Sequence, residues 1–220
     1  MAFGFLTMMF VVFIQTDKIS KLTNSIVSYI KPVQSVEKRE VPYGYFYVGK
    51  EINRYIESLP EDYISEFANF FTRYTRNEQV SSIVLKKSLE KEIPVCLSFA
   101  LAWGESRFNP RAYNKNRSTN GTIDRGLFQL NNSYRKDWTI EDFYNIEKNA
   151  EEGLSYLEDR LREHGGNVVP ALASYNAGSR RIKEDGAPYM TLVHVDQILE
   201  YEKMLEAEIN DFIIELEYRL

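Results

Sequence analysis

The chain has 220 residues, enough for one full-sized core with additional segments. Its 32 acidic residues outnumber 27 lysines and arginines, and the formal net charge of −5 argues against a dedicated nucleic-acid binder, which would present a basic face. Cys96 is the single cysteine, so no intramolecular disulfide can form; with only two histidines and no ligand spacing among the three, a metal site is not expected.

Residues 2–14, "AFGFLTMMFVVFI", are mostly apolar. A membrane-spanning helix needs about 20 such residues, whereas the apolar part of a secretory signal is about this size. No lysine or arginine precedes the run and no small-x-small cleavage pattern follows it. Two readings stay open: an export signal or short membrane anchor, and an N-terminal helix buried in the core. Residues 15–50, with Pro32, Pro42 and the cluster "YGYFY", read as a tether with some helix. Residues 51–92 read as a helical extension. Ile64, Phe67, Phe71 and Tyr74 share one helical stripe, and Val80, Ile83, Val84 and Leu89 another.

Pro94 can open the next helix, because the first helical N–H has no partner anyway. Cys96, Phe99, Ala100 and Trp103 form its inward stripe, and Cys96 reads as a small core thiol. The polar stretch 114–124 carries Asn120-Gly121, a tight-turn dipeptide, and suits a short hairpin or loop. From Asn145 an amphipathic helix runs through Ile146, Ala150, Leu154, Leu157 and Leu161 to Gly165-Gly166. "NVVPALASYNAG" reads as another helix, with Asn167 as its cap and Gly178 as its end. The tail is one long helix with Ile198, Tyr201, Leu205, Ile209, Phe212, Leu216 and Leu220 on one stripe. Such a stripe packs on its own chain or pairs in a coiled coil. Strand signals are sparse, so the expected fold class is mostly α.

Glu105 stands at the end of the apolar helix, after Trp103-Gly104 and before Ser106. An apolar wall favours the protonated form of a carboxyl group. A protonated acid can donate to a leaving oxygen, as glycosidic cleavage requires. "GTIDRGLFQLNNS" adds Gly126, where a backbone can come close, and the amides of Gln129, Asn131 and Asn132. "SYNAG" adds the phenol of Tyr175 and the amide of Asn176. Sugars suit such residues: their hydroxyls need many hydrogen bonds and their C–H faces stack on rings.

In this order "GESRFNP", "RGLFQLN", "NAEEGLSYLEDRL" and "SYNAG" resemble the soluble-type lytic transglycosylases, whose fold is like that of goose-type lysozyme. The resemblance covers residues 93–205, leaving 206–220 as a helical continuation. It implies a lysozyme-like helical domain acting on peptidoglycan glycan strands, with no metal or organic cofactor. By the same resemblance Glu105 is the catalytic acid and base. Ser106 orients Glu105 or the substrate amide, and Gln129, Tyr175 and Asn176 line the sugar pocket. Phe128 stands where the family has Met and Ser174 where it has Ala. His194 aligns where the family usually has a tyrosine, and reads either as a substitute polar ring or as a partly exposed helix residue; Tyr201 is a second candidate for that role. Action on peptidoglycan in turn implies export to the periplasm or cell envelope.

Asp124 opens an alternative. The same stretch resembles animal-type lysozymes, where an aspartate is the second carboxylate, and Glu105 with Asp124 could then support hydrolysis by water. If Asp124 instead pairs with Arg125 or Arg117, or caps the turn, it is structural. A non-catalytic wall-binding module is the other alternative.

Overall fold

A computed structural model of the chain describes residues 48–115 and 121–219. The apolar segment 2–14, the tether up to residue 47, Arg117 and Asn120 lie outside the described residues. Helices dominate: α1 (Val48–Ser58), α2 (Glu61–Thr75), α3 (Glu78–Glu90) and α4 (Val95–Ser106) precede a small sheet. After it come α5 (Ile140–Tyr144), α6 (Ile146–Glu163), α7 (Val168–Ala177), α8 (Ser179–Asp185) and α9 (Tyr189–Glu217).

Helix α4 is the centre of the core. The sequence suggests an inward stripe, but every residue from Val95 to Ala102 is buried, so α4 is covered all round. Phe99 stacks on Phe71 of α2 with ring centroids 3.7 Å apart. The start of α4 has no side-chain cap of its own. Asn53 of α1 serves instead: its carbonyl accepts from the Val95 N–H at 3.0 Å and its amide donates to the Ile93 carbonyl at 2.8 Å. The long α9 packs along α4 and α7 and buries Val195, Ile198, Leu205, Ile209 and Leu216. Its stripe is therefore spent on its own chain. One continuous apolar cluster runs from Ile52 to Leu216, so α1–α3 and the last turns of α9 share their core with the 93–205 segment.

The polar stretch after α4 contributes strands to a small antiparallel sheet. Strands β1 (Tyr113–Lys115), β2 (Ile123–Arg125) and β3 (Leu130–Asn131) are antiparallel in the order β1-β2-β3, with Asp124 opposite both Asn114 and Asn131. Asn145 caps α6 by accepting from the Lys148 N–H. Gly165 and Gly166 end it with positive φ, the Gly166 N–H returning to the Leu161 carbonyl at 2.8 Å. Asn167 stands at the N-cap of α7 but makes no capping bond. Pro170 at the third helical position removes one of the two N–H groups such a cap engages. No helix among the described residues is long and apolar enough to cross a membrane.

Candidate active site

The last turn of α4 carries Glu105 to the wall of a cleft of about 1180 Å³, whose other walls come from the sheet, α6, α7, α8 and α9. Seven residues singled out in the sequence meet there: Glu105, Asp124, Gln129, Asn131, Tyr175, Asn176 and His194. Ser106 does not line the cleft. Its buried hydroxyl donates to the Ala102 carbonyl one turn back, at 3.1 Å. Arg107 then takes a left-handed conformation and stops the helix, with its guanidinium 3.5 Å from the centroid of the Trp103 ring.

Glu105 is largely enclosed, with 12% of its side chain exposed. Its Oε1 lies 3.1 Å from Nε2 of His194 on α9. The missing side chain of Gly104 permits this approach. A Cβ there would lie 2.5 Å from Cγ1 of Ile198, one turn after His194. His194, partly exposed, thus lines the cleft beside Glu105. Tyr201, the other candidate for that place, turns to Trp103 and stacks on it at 4.2 Å.

The sheet and its following turn are held from behind by Asn149 of α6, fully buried. It accepts from the Phe128 N–H at 2.8 Å and donates to the carbonyls of Phe143 at 3.0 Å and Arg125 at 3.2 Å. Gly126, at φ +83°, has no room for a Cβ, which would fall 2.2 Å from the Phe143 carbonyl oxygen. Gly153 on α6 leaves space for the Phe128 side chain, since a Cβ there would lie 2.4 Å from its Cβ and 2.5 Å from its Cγ. The turn so fixed presents Gln129, itself at φ +47°, whose amide donates to the Gly126 carbonyl at 2.9 Å.

Asp124 points its carboxylate at the Asn131 amide across the β2–β3 pair, at 2.6 Å, and lines the same cleft as Glu105. Tyr175 donates its hydroxyl to the Phe128 carbonyl at 2.9 Å. Burial, and next the charge of Glu105, hold that phenol well above its ordinary range, so it stays a neutral donor. Asn176 accepts from the Thr191 hydroxyl at 2.8 Å, which ties α7 to the start of α9.

Tyr134 and Tyr156 were not singled out by the sequence reasoning, yet both line the cleft, and with Tyr175 they form an aromatic wall. The Tyr134–Tyr156 and Tyr156–Tyr175 centroids are 5.5 Å and 5.0 Å apart. Tyr156 had a signal: it is the tyrosine of the Asn-x3-Gly-x2-Tyr-Leu pattern whose Asn149 and Gly153 hold the adjacent turn. Among the described residues, no group of three or more His, Cys, Asp or Glu side chains is arranged to hold a metal ion.

Residues 82–192, just over half of the chain, match the family model of the transglycosylase SLT domain, and the chain belongs to that family. The match begins inside α3, ahead of the 93–205 segment that carries the motif resemblance. Among solved structures, the chain is similar to an inactive mutant of the lytic transglycosylase Slt from Pseudomonas aeruginosa, with 18% identity and a TM-score of 0.49. That similarity covers 73% of this chain and 32% of the Slt chain, so the chain spans about a third of that protein's length.

Proposed function

We propose that this protein is a peptidoglycan lytic transglycosylase. It cleaves the β-1,4 bond between N-acetylmuramic acid and N-acetylglucosamine, and leaves 1,6-anhydro-muramoyl ends. The observation that carries this reading is the enclosed carboxyl of Glu105 on a cleft that also gathers Gln129, Tyr175 and Asn176. Membership of the SLT family supports it.

In this mechanism the Glu105 carboxyl donates its proton to the glycosidic oxygen as the bond to the muramoyl anomeric carbon breaks. The neighbouring N-acetyl group assists at that carbon. The carboxylate of Glu105 then takes the proton of the muramoyl 6-hydroxyl, whose oxygen closes onto the anomeric carbon. Substrate groups do the work of a second carboxylate, so one acid suffices. The tyrosine wall offers ring faces to the sugars, and the amides of Gln129 and Asn176 offer hydrogen bonds. Because peptidoglycan lies outside the cytoplasmic membrane, this reading implies export to the periplasm or cell envelope. The apolar segment 2–14 is about the size of the apolar part of a secretory signal, which fits that export.

The test is mass spectrometry of muropeptides released from purified peptidoglycan by the full chain, beside Glu105→Gln. The expected products are lighter than hydrolytic ones by one water and end in anhydro-muramoyl groups, and Glu105→Gln loses at least about 10²-fold in turnover. Asp124 supplies a second reading, because it shares the cleft with Glu105. Reducing ends, abolished by Asp124→Asn, would assign a hydrolase. Binding without release would leave a wall-binding module.

A further inference from the structure

Arg181 is the one lysine or arginine among the described residues that line the cleft. Its side chain is exposed, and no hydrogen bond or ion pair among the described residues engages its guanidinium. We propose that Arg181 is a specificity residue that binds a carboxylate carried on the lactyl arm of the muramoyl residue, so that the cleft selects glycan with charged arms over neutral glycan. The inference rests on the reading of the cleft as a peptidoglycan site and names the part of that substrate which Arg181 takes.

The fold aims this side chain. Helix α8 buries no residue completely, though Ile182 rests against the core. Polar contacts to α6 fix how it faces. Glu163 accepts from the Ser179 hydroxyl at 2.7 Å and pairs with Lys183 at 2.5 Å. Arg160 pairs with Glu163 at 2.9 Å and also reaches the Ser179 hydroxyl. Ser179 and Lys183 are one helical turn apart and share the face turned to α6. Each residue of a helix is rotated by about 100° from the last, so Arg181, midway between them, falls on the opposite face. That face looks onto the cleft.

The backbone of the glycan carries hydroxyl and N-acetyl groups, which are neutral. Its acidity resides on the lactyl arm. Where no peptide is attached the lactyl group is itself a carboxylate; where a peptide stem is attached, the stem supplies the carboxylates. A guanidinium offers a planar fork of N–H donors that matches a carboxylate, and it keeps its proton in proteins. The remaining lining consists of carboxyl, amide, hydroxyl, aromatic and apolar groups with the His194 ring, and supplies no permanent positive charge. Glu184 and Asp185 follow Arg181 by three and four positions on α8 but form no ion pair with it. An exposed pair at that spacing is weak, and it gives way to a carboxylate held in a cleft.

The experiment uses the full chain and three kinds of soluble strand: glycan with its peptide stems, glycan stripped of stems by an amidase, and stripped glycan whose lactyl carboxylates are converted to neutral amides. KM and kcat are measured for the wild type, Arg181→Gln and Arg181→Lys. Binding of the same strands is measured by calorimetry in the Glu105→Gln background, with and without Arg181→Gln. On a carboxylate-bearing strand Arg181→Gln is expected to raise KM about 10-fold and to weaken binding equally. Its kcat there stays within about 3-fold of wild type, and on the amide strand its KM moves by less than about 2-fold. Arg181→Lys, which keeps the charge and loses the fork, falls between. A loss on stem-bearing strands alone assigns a stem carboxylate; a loss on stripped strands assigns the lactyl carboxylate itself. Equal losses on all three strands, or no loss on any, would overturn the proposal. If binding showed the preference for charged arms while the wild type released no anhydro-muramoyl ends, the transglycosylase reading would fall and the role of Arg181 would stand. If anhydro-muramoyl ends formed and Arg181→Gln treated the three strands alike, only the role of Arg181 would fall.

Discussion

Asn149 shows what one side chain does for the cleft. Its three hydrogen bonds join α6 to the backbone on both sides of the turn that presents Gln129. Removing a buried partner strands each group at about 1–3 kcal/mol, so Asn149→Ala is expected to cost about 3 kcal/mol of stability in urea unfolding. Activity should fall as well, since Asp124 and Gln129 both hang on this turn. Gly153→Ala drives a methyl into the Phe128 side chain and should cost about 1–3 kcal/mol in the same measurement. At this scale the sequence was legible in kind but not in role. Asn149, Gly153 and Tyr156 were visible as a pattern, and only packing separates the anchor, the gap and the wall. Glu105, Gln129, Tyr175 and Asn176 could be read because each sits in a short motif with a chemical reason for its residue type. Ser106 sat in such a motif too, and its hydroxyl turned back into the helix, a choice that spacing does not encode.

Among the elements, the seam between α4 and α9 decides most. Gly104→Ala should force the helices apart or displace Ile198, at about 1–3 kcal/mol, and loosen the contact between His194 and Glu105. Glu202 lies on the buried face of α9, and its Oε2 has no hydrogen-bond partner. Burial, with the charge of Glu206 adding to it, pushes its carboxyl from an ordinary 4.5 up to about 8. The folded state therefore holds a proton that the unfolded chain releases, and stability should decline as pH rises from about 4.5 to about 8, with a ceiling of roughly 5 kcal/mol. Glu202→Gln should flatten that decline in melting temperatures taken across the range. The long helices were legible because their apolar spacing repeats over several turns. The five-residue α5 offers too few turns for a period, and the seven-residue α8 buries no residue and so leaves no stripe to find.

For the molecule as a whole, the continuous core sets the smallest piece that folds. Phe212, near the end of α9, meets Phe67 and Phe70 of α2 with ring centroids 5.2 Å and 5.1 Å apart. Cutting the chain after Leu205 removes Ile209, Phe212 and Leu216 and uncovers those rings, at about 1.5–3 kcal/mol for each lost side chain. A 41–205 fragment is therefore expected to lose its cooperative unfolding transition in calorimetry, whereas 41–220 keeps one. The sequence could place the motifs in order but not this dependence, which joins residues more than a hundred positions apart. Trp103 gives the arrangement an optical side. It is one of two tryptophans, lies face to face on Tyr201 of α9, and stands two residues before Glu105. With Trp138 replaced by phenylalanine it would be the sole indole emitter, and its colour would report when α9 lifts from α4. Fluorescence could then follow the loss of the seam in the same urea titration that measures stability.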